Sequence, residues 1–579
     1  MNTLHINSLP DLNGAGDKQR WDGVAGAGSS LLLANYAEKA QGLTVIVTEN
    51  TQQAERLLQE AAFFSAQGIP LLEFPDWEIL PYDNFSPHQD IISARLTTLS
   101  SLPLTQKGLL ILPVSTLLHH LVPQSYIKGM SLKLTTGQEL NRDILRKELE
   151  AAGYLRVESV YEHGEFTVRG SIMDIFPMGG SNPVRIELFD DEIESLRYFD
   201  ADTQLSRDKI DSVNLLPGKE FPLTDKGIAT FRQNFREAFD IDVRKCPLYE
   251  DISRGVAVAG IEYYLPLFFS QISTLFDYLP ENTCFFTLGE VGEAAELFWH
   301  DVRLRYEDRR VDPERPLLPP GELFMAADQL FAEINHYPHV SLKAIKDNSG
   351  HASLPVRAIP DLDVEHKTDK PLQKLQTFLT SVSEYPVLFC TDSPGRREAL
   401  IELLGSAGIH PESIEDWQDF VARKPSLGIT VAPLENGLWL EDPAMILLTE
   451  NQLFTDHVSQ PRRRGKYTDN TDFIIKSLTE LNINSPVVHI DHGVGRYKGL
   501  ETFEVESHLT EFLVLEYADE ARLYVPVSSL HLINRYSGSD AEHAPLNKLG
   551  SDQWEKAKRK AAEKVVDVAA ELLDVYARR

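Results

Sequence analysis

A chain of 579 residues is too long for one hydrophobic core and is expected to divide into several domains. Its 42% apolar and 25% charged residues are the composition of an ordinary folded chain and exclude wholesale disorder. With 87 acidic against 56 basic residues the formal charge is −31, a field that repels phosphate polyanions and disfavours non-specific adhesion to DNA or membranes, while leaving room for a local basic groove.

The three cysteines, Cys246, Cys284 and Cys390, lie far apart with no C-x-x-C and no histidine cluster. That removes zinc fingers, redox pairs and disulfide scaffolds, and leaves packing residues in a reducing compartment. The start M-N-T-L-H-I-N-S-L-P lacks the basic and apolar regions of a signal peptide, and no stretch approaches the roughly 18 apolar residues of a membrane span. A cytoplasmic protein with no membrane partner is expected.

In chain order, W-D-G-V-A-G-A-G-S-S-L-L-L-A-N-Y at 21–36 comes first. Gly23, Gly26, Gly28, Ser29 and Ser30 fall in the frame G-x-x-x-x-G-K-[S/T] of a phosphate-binding loop, but Ser29 stands where the lysine belongs. Backbone N–H groups could still wrap phosphates; the charge on the β and γ oxygens would be missing. Two readings stay open: a degenerate, non-functional loop in which Ser29 or Ser30 caps a helix starting at Leu31, and an unconventional ATPase built on Gly23–Ser30.

Gly-rich turns, apolar runs at 44–48 and 108–114, and helical stretches at 51–64 and 91–102 alternate through residues 1–127, which reads as α/β with a parallel sheet. Short alternating runs within 128–210 read as a β-rich insert, with Asp190-Asp191-Glu192 a solvated turn. Residues 211–350 are mixed and lean helical, with a stiff proline-rich excursion at 311–321. A second α/β domain is expected over 355–457, a linker carrying Arg462-Arg463-Arg464 over 458–481, and a small barrel of SH3 or Tudor type over 482–548. From 549 to 579 apolar residues recur at helical spacing, and the chain stops at Arg-Arg without a glycine or proline cap, as an end cut inside or just after a helix would.

No catalytic constellation accompanies the loop. The one D-E-A-D-like stretch, F-L-V-L-E-Y-A-D-E-A-R at 512–522, falls in the small β domain, where Asp519 and Glu520 suit a hairpin turn. A Q-x-x-G-R-x-G-R arginine finger is missing too. His119, His120, His163, His489 and His492 have no carboxylate or cysteine arrangement of a metal site and read as packing or turn residues. No catalytic residue, metal or cofactor is assigned.

Three long stretches then carry a resemblance: F-P-D-W-E-I-L-P-Y-D-N-F-S-P-H-Q-D-I-I-S-A-R-L, E-H-G-E-F-T-V-R-G-S-I-M-D-I-F-P-M and V-V-H-I-D-H-G-V-G-R-Y-K-G-L. Over essentially its whole length the chain resembles the bacterial transcription-repair coupling factor (Mfd) family, whose first 350 residues share a module with the excision-repair protein UvrB. The resemblance implies a degenerate RecA/UvrB-like fold without UvrB's lysine and without its DNA-wedging hairpin, since L-P-Y-D-N-F-S-P-H-Q-D runs straight into I-I-S-A-R-L.

It further implies that the insert recruits UvrA through Arg169, Arg185 and Phe189, two guanidiniums able to pair with carboxylates beside an aromatic anchor. The small barrel would dock on the β subunit of RNA polymerase. Phe503 matches a family contact position; Gly495, Arg496 and Leu500 lie in the same motif, whose glycines Gly493, Gly495 and Gly499 would let a strand bend or approach a partner's backbone. The last helix would connect to a translocase motor outside this chain, where ATP, Mg²⁺ and most DNA contact belong. The resemblance thus predicts a monomeric, non-hydrolysing adaptor, and leaves 355–457 without a role.

Overall fold

The computed structural model describes residues 12, 16–22, 24, 26–65, 68–201, 203–343, 352–364, 371–454, 483–489, 492–505, 508–526, 533–535 and 546–549. Gly23, the linker with Arg462–Arg464, and the expected connector helix beyond Leu549 lie outside them. Two compact units result, residues 1–77 with 81–454 and residues 78–80 with 455–579.

The larger unit contains a seven-stranded parallel sheet in the order Ala352–Ser353, Lys18–Asp22, His339–Lys343, Thr283–Leu288, Leu43–Thr48, Gly108–Pro113, Leu71–Glu73. Three of these, Leu43–Thr48, Gly108–Pro113 and Thr283–Leu288, are buried at every position. They read as unbroken apolar runs because helices cover both faces of a parallel sheet. The helix Thr51–Phe64 starts where the Asn50 side chain accepts from the backbone N–H of Gln53, 2.9 Å away, and turns Ala54, Leu57, Ala61 and Phe64 inward.

A second sheet, in the order Val356–Arg357, Leu438–Glu441, Ala444–Thr449, Val387–Thr391, Leu427–Val431, Glu412–Ser413, is built around Val387–Thr391, which pairs in parallel with strands on both sides. The two sheets share one apolar core. Leu31, Leu33, Leu57 and Phe64 of the first module pack in the same cluster as Leu388, Trp417, Phe420, Leu438 and Leu447 of the second. Trp417, 2% exposed, stands edge-on to Phe64 at 4.9 Å and lies 5.9 Å from Phe63. This contact explains why the helix Gly28–Lys39 is buried on most of its sides: one side faces its own sheet, the other faces the second module.

The insert carries a six-stranded sheet in the order Ser206–Ile210, Glu192–Phe199, Val184–Phe189, Ile172–Ile175, Glu165–Arg169, Leu155–Arg156. Its entry and exit are tied by the antiparallel pair Leu132–Thr135 and Ser212–Leu215. Just past the exit, Glu220 is buried against the first module. Its carboxylate accepts from Arg95 Nε and Trp77 Nε1, both at 3.0 Å, and the Arg95 guanidinium lies 4.4 Å from the Phe74 ring. A buried charge pair is costly to break from one side, so this link fixes where the insert leaves the sheet.

The smaller unit is an antiparallel sheet in the order Arg522–Pro526, His508–Glu516, Gly493–Val505, Pro486–His489, Ile533–Arg535. Val487, Tyr497, Leu513, Leu515, Tyr517, Val525 and Ile533 form its core. Between Tyr497 and Gly499 the pairing register shifts, and Gly499 takes φ 121°, a bulge conformation that glycine favours. In the described residues this is an open five-stranded sheet. No helix among them is long and apolar enough to cross a membrane.

Because Trp417 links the two α/β modules, Trp417→Ala is expected to cost about 3–5 kcal/mol. Urea unfolding followed by circular dichroism and by proteolysis within 28–64 checks this; the segment 28–64 should loosen together with 387–449.

Candidate interaction surfaces and the glycine loop

The glycine loop does join the strand Lys18–Asp22 to a helix. That helix begins at Gly28 rather than Leu31, with Ala27 at the cap position and no side-chain cap bond. Ser29 and Ser30 are therefore not caps; they sit inside the first turn, buried. Ser29 Oγ donates to Gly26 O at 3.3 Å, and Ser30 Oγ donates to the Glu60 carboxylate. Glu60 sits on the inward stripe of its helix, 3% exposed, and also accepts the backbone N–H of Glu435 from the second module, at 3.3 Å. Arg56 pairs with the Glu435 carboxylate.

The mouth of the loop is filled. A Cβ on Gly26 would lie 2.6 Å from Gly437 O, and one on Gly28 would lie 3.4 Å from Leu438 Cδ1 and 3.5 Å from Leu354 Cδ1.

On the insert, antiparallel pairing places alternate residues on one face. Thr167, Arg169, Ile172, Asp174, Arg185, Glu187 and Phe189 share it through the pairs Thr167–Asp174, Arg169–Ile172, Ile172–Glu187 and Asp174–Arg185. The other face turns Phe166, Met173, Ile175, Val184, Ile186 and Leu188 into the core. The polar face has two halves. In one, Arg185 grips Asp174 in a two-pronged pair, Nε to Oδ1 at 2.7 Å and Nη2 to Oδ2 at 3.0 Å. Its Nη1 donates to Ser206 Oγ at 3.0 Å, and the Phe199 ring lies 5.0 Å from it. Asp174 is 1% exposed, and the Arg185 side chain keeps only 16% of its surface. The hydrogen bonds to Asp174 raise the guanidinium above its usual range, so it stays charged.

The other half is open. Phe189 is 70% exposed, and Arg169 is exposed while bonded to Glu158 O and, at 3.0 Å, to Ser159 Oγ. Arg156, Val157, Glu158, Thr167 and Arg169 line a shallow hollow beside it.

The sheet of the smaller unit divides its four candidates the same way. Arg496 pairs with Glu516, and Phe503 belongs to the face of Glu501 and Phe512. Phe503, 40% exposed, meets Tyr524 edge-on at 5.1 Å and Phe512 at 5.7 Å, an aromatic group at the surface. Arg496 Nη1 donates to Asn484 O at 3.0 Å. Leu500 pairs with Leu513 and packs on the core, and a Cβ on Gly495 would lie 3.0 Å from the Tyr517 ring. The glycine at 495 thus makes room for a core tyrosine.

Asp519 and Glu520 lie in a one-turn helix between strands. Asp519 is a turn residue with φ 61°, and a 2.7 Å pair with Lys548 holds its carboxyl below the usual range. Among the histidines, His119 is buried against Trp77 and Phe324, and His163 bridges Asp90 Oδ1 at 2.7 Å and Gly180 O at 2.8 Å. All three cysteines are buried. Asp174, Glu60 and Glu435 escape a reading of the sequence. The only local signals are an acid between apolar strand residues in S-I-M-D-I-F and an acid at an inward position of Thr51–Phe64.

Residues 132–221 match the UvrB interaction domain family, residues 378–453 the MFD D3 domain family, and residues 481–537 the CarD-like/TRCF RID domain family. The chain is 45% identical over 555 residues to the transcription-repair-coupling factor of Haemophilus influenzae, covering 95% of this chain and 48% of the relative. It is 44% identical over 568 residues to that of Escherichia coli, covering 98% and 49%. With the Bacillus subtilis protein the identity is 26% over 599 residues, covering 96% and 48%. The chain thus spans about half the length of these relatives.

Burial raises the Glu60 carboxyl above its ordinary value, outweighing the Ser30 hydrogen bond and the Arg56 charge, so the folded state favours the protonated form. The stability this group contributes is full below the ordinary value of 4.5 and is lost as pH rises through the higher folded value. Glu60→Gln removes the titrating group while keeping one of its two acceptor oxygens, and should flatten this part of the stability-versus-pH curve at some cost in overall stability; denaturant titrations from pH 4 to 8 would read it.

Proposed function

We propose that this chain, which belongs to the transcription-repair-coupling factor family, works as a two-ended adaptor, its insert receiving UvrA and its smaller unit docking on the β subunit of a stalled RNA polymerase. In the cytoplasm it would bring excision repair to lesions that block transcription. The observation that carries the reading is the open half of the insert face: within the stretch matching the UvrB interaction domain, Arg169 and a 70% exposed Phe189 share one side of the sheet. An exposed phenylalanine anchor beside an arginine is the chemistry of an interface hot spot.

The three insert residues take different parts. Arg169 and Phe189 offer free surface to a partner. Arg185, with its guanidinium spent on Asp174, contributes to the same face by holding two strands in register and presenting its remaining edge. On the smaller unit, Phe503 with Tyr524 and Phe512 supplies the apolar anchor, Arg496 sits on the same face, and Leu500 and Gly495 set the shape of the sheet beneath. The barrel closure expected of an SH3-type module belongs to this reading as well.

The chain itself hydrolyses no ATP in this account. The loop lacks its lysine and its mouth is filled by Gly437 and Leu438, which also disfavours the unconventional ATPase. ATP-driven translocation on DNA would belong to the part of the relatives beyond the match.

Binding of purified UvrA and of the polymerase β subunit, each measured by interferometry, tests the two ends. Arg169→Glu and Phe189→Ala should each weaken UvrA binding by about 10–100-fold, on the order of 1.4–2.7 kcal/mol, and leave polymerase binding alone. Phe503→Arg should do the reverse. Arg185→Ala should lose UvrA affinity together with thermal stability, since Asp174 is left buried and unpaired. Unchanged affinities would remove the site assignments.

A further inference from the structure

We propose a function for the second α/β module, residues 355–454: it is the loop's built-in occupant, a segment of the same chain that takes the place of a nucleotide phosphate at the start of the helix Gly28–Lys39. The start of a helix presents free N–H groups and a partial positive charge, and in a working phosphate-binding loop the ligand's oxygens satisfy both. Here the turn Glu435–Leu438 approaches instead. The carbonyl of Gly437 lies against Gly26, and Leu438 and Leu354 close over Gly28.

The turn is fitted to this position from both sides. Behind it, Glu435 O accepts from Asn451 Nδ2 at 2.7 Å and Thr449 Oγ1 at 3.2 Å. Gly437 tolerates no side chain, since a Cβ would lie 2.4 Å from Leu447 O and 2.4 Å from Gln452 Oε1. In front, Glu60 takes the Ser30 hydroxyl and the Glu435 N–H on one carboxylate, and Arg56 pairs with the Glu435 side chain across the same junction. Around it, the shared core of Leu31, Phe64, Trp417 and Leu438 excludes water.

A carboxylate next to the first turn is the wrong charge for holding a phosphate and the right acceptor for a serine hydroxyl and a backbone N–H. Shape, apolar sealing and charge therefore agree on a peptide occupant. Loss of the lysine and gain of the module are two halves of one arrangement, in which the loop is kept ordered by a contact made permanently within the chain.

Two measurements on the full chain test this. In the double variant Glu435→Ala, Leu438→Ala, hydrogen exchange of the amides at 26–34 should accelerate about tenfold, while those of the central strand Gly108–Pro113 stay protected. Unchanged exchange at 26–34, or equal acceleration at 108–113, overturns the proposal. The second measurement completes the motif with Ser29→Lys and titrates a fluorescent ATP analogue with Mg²⁺. Ser29→Lys alone should bind nothing, and the triple variant with Glu435→Ala and Leu438→Ala should bind. Binding by Ser29→Lys alone, or none by the triple variant, overturns the proposal. UvrA and polymerase binding of the same samples should not change, which separates this outcome from the adaptor reading.

Discussion

The apolar contact between the helix Gly28–Lys39 and the second α/β module is the constraint on which the larger unit depends. Each module alone would leave a wide apolar surface in water: Leu31, Leu33, Leu57 and Phe64 on one side, Trp417, Phe420, Leu438 and Leu447 on the other. Burying them together gains on the order of 1.5–3 kcal/mol per large side chain, which polar contacts of the Arg56–Glu435 kind, each about 40% exposed, could not supply. Gly28, at the start of that helix, packs against Leu438 and Leu354. The insert leaves this core where the buried Arg95–Glu220 pair ties it to the first module.

The same division between buried and offered groups recurs on both β modules. The insert spends Arg185 and Asp174 inside its polar face and leaves Arg169 and Phe189 outside; the smaller sheet spends Leu500 and Tyr517 in its core and leaves Phe503 and Tyr524 outside. A rigid sheet carrying a few exposed aromatic or guanidinium groups loses little conformational freedom when it binds, so those few groups can supply most of the affinity.

Much of this architecture is written locally. Unbroken apolar runs marked the central strands at 44–48 and 108–114, helical spacing marked 51–64, and alternation marked the insert. The period of two on a strand also suffices to put Arg185 and Phe189 on one side. What local pattern cannot carry is pairing across long separations. Gly26 meets Gly437, Ser30 meets Glu60 and Glu60 meets Glu435 only because two sheets pack, so Ser29 and Ser30 read from their neighbours as caps when both lie inside a buried first turn. Likewise Arg169 and Arg185 look equivalent in sequence, and only the cross-strand pair with Asp174 separates the exposed one from the one already engaged. Gly495 is a third case, since the Tyr517 ring that leaves no room for a side chain there lies 22 residues away in the chain.

The central claim is that one chain holds both partners at once through separate faces. Its most direct test is capture of UvrA on immobilised RNA polymerase in the presence and absence of this chain. The account predicts capture only when the chain is present, lost for UvrA alone with Phe189→Asp and for both proteins with Phe503→Arg. Capture of UvrA by polymerase without the chain, or retention of UvrA by Phe189→Asp on polymerase, would contradict it.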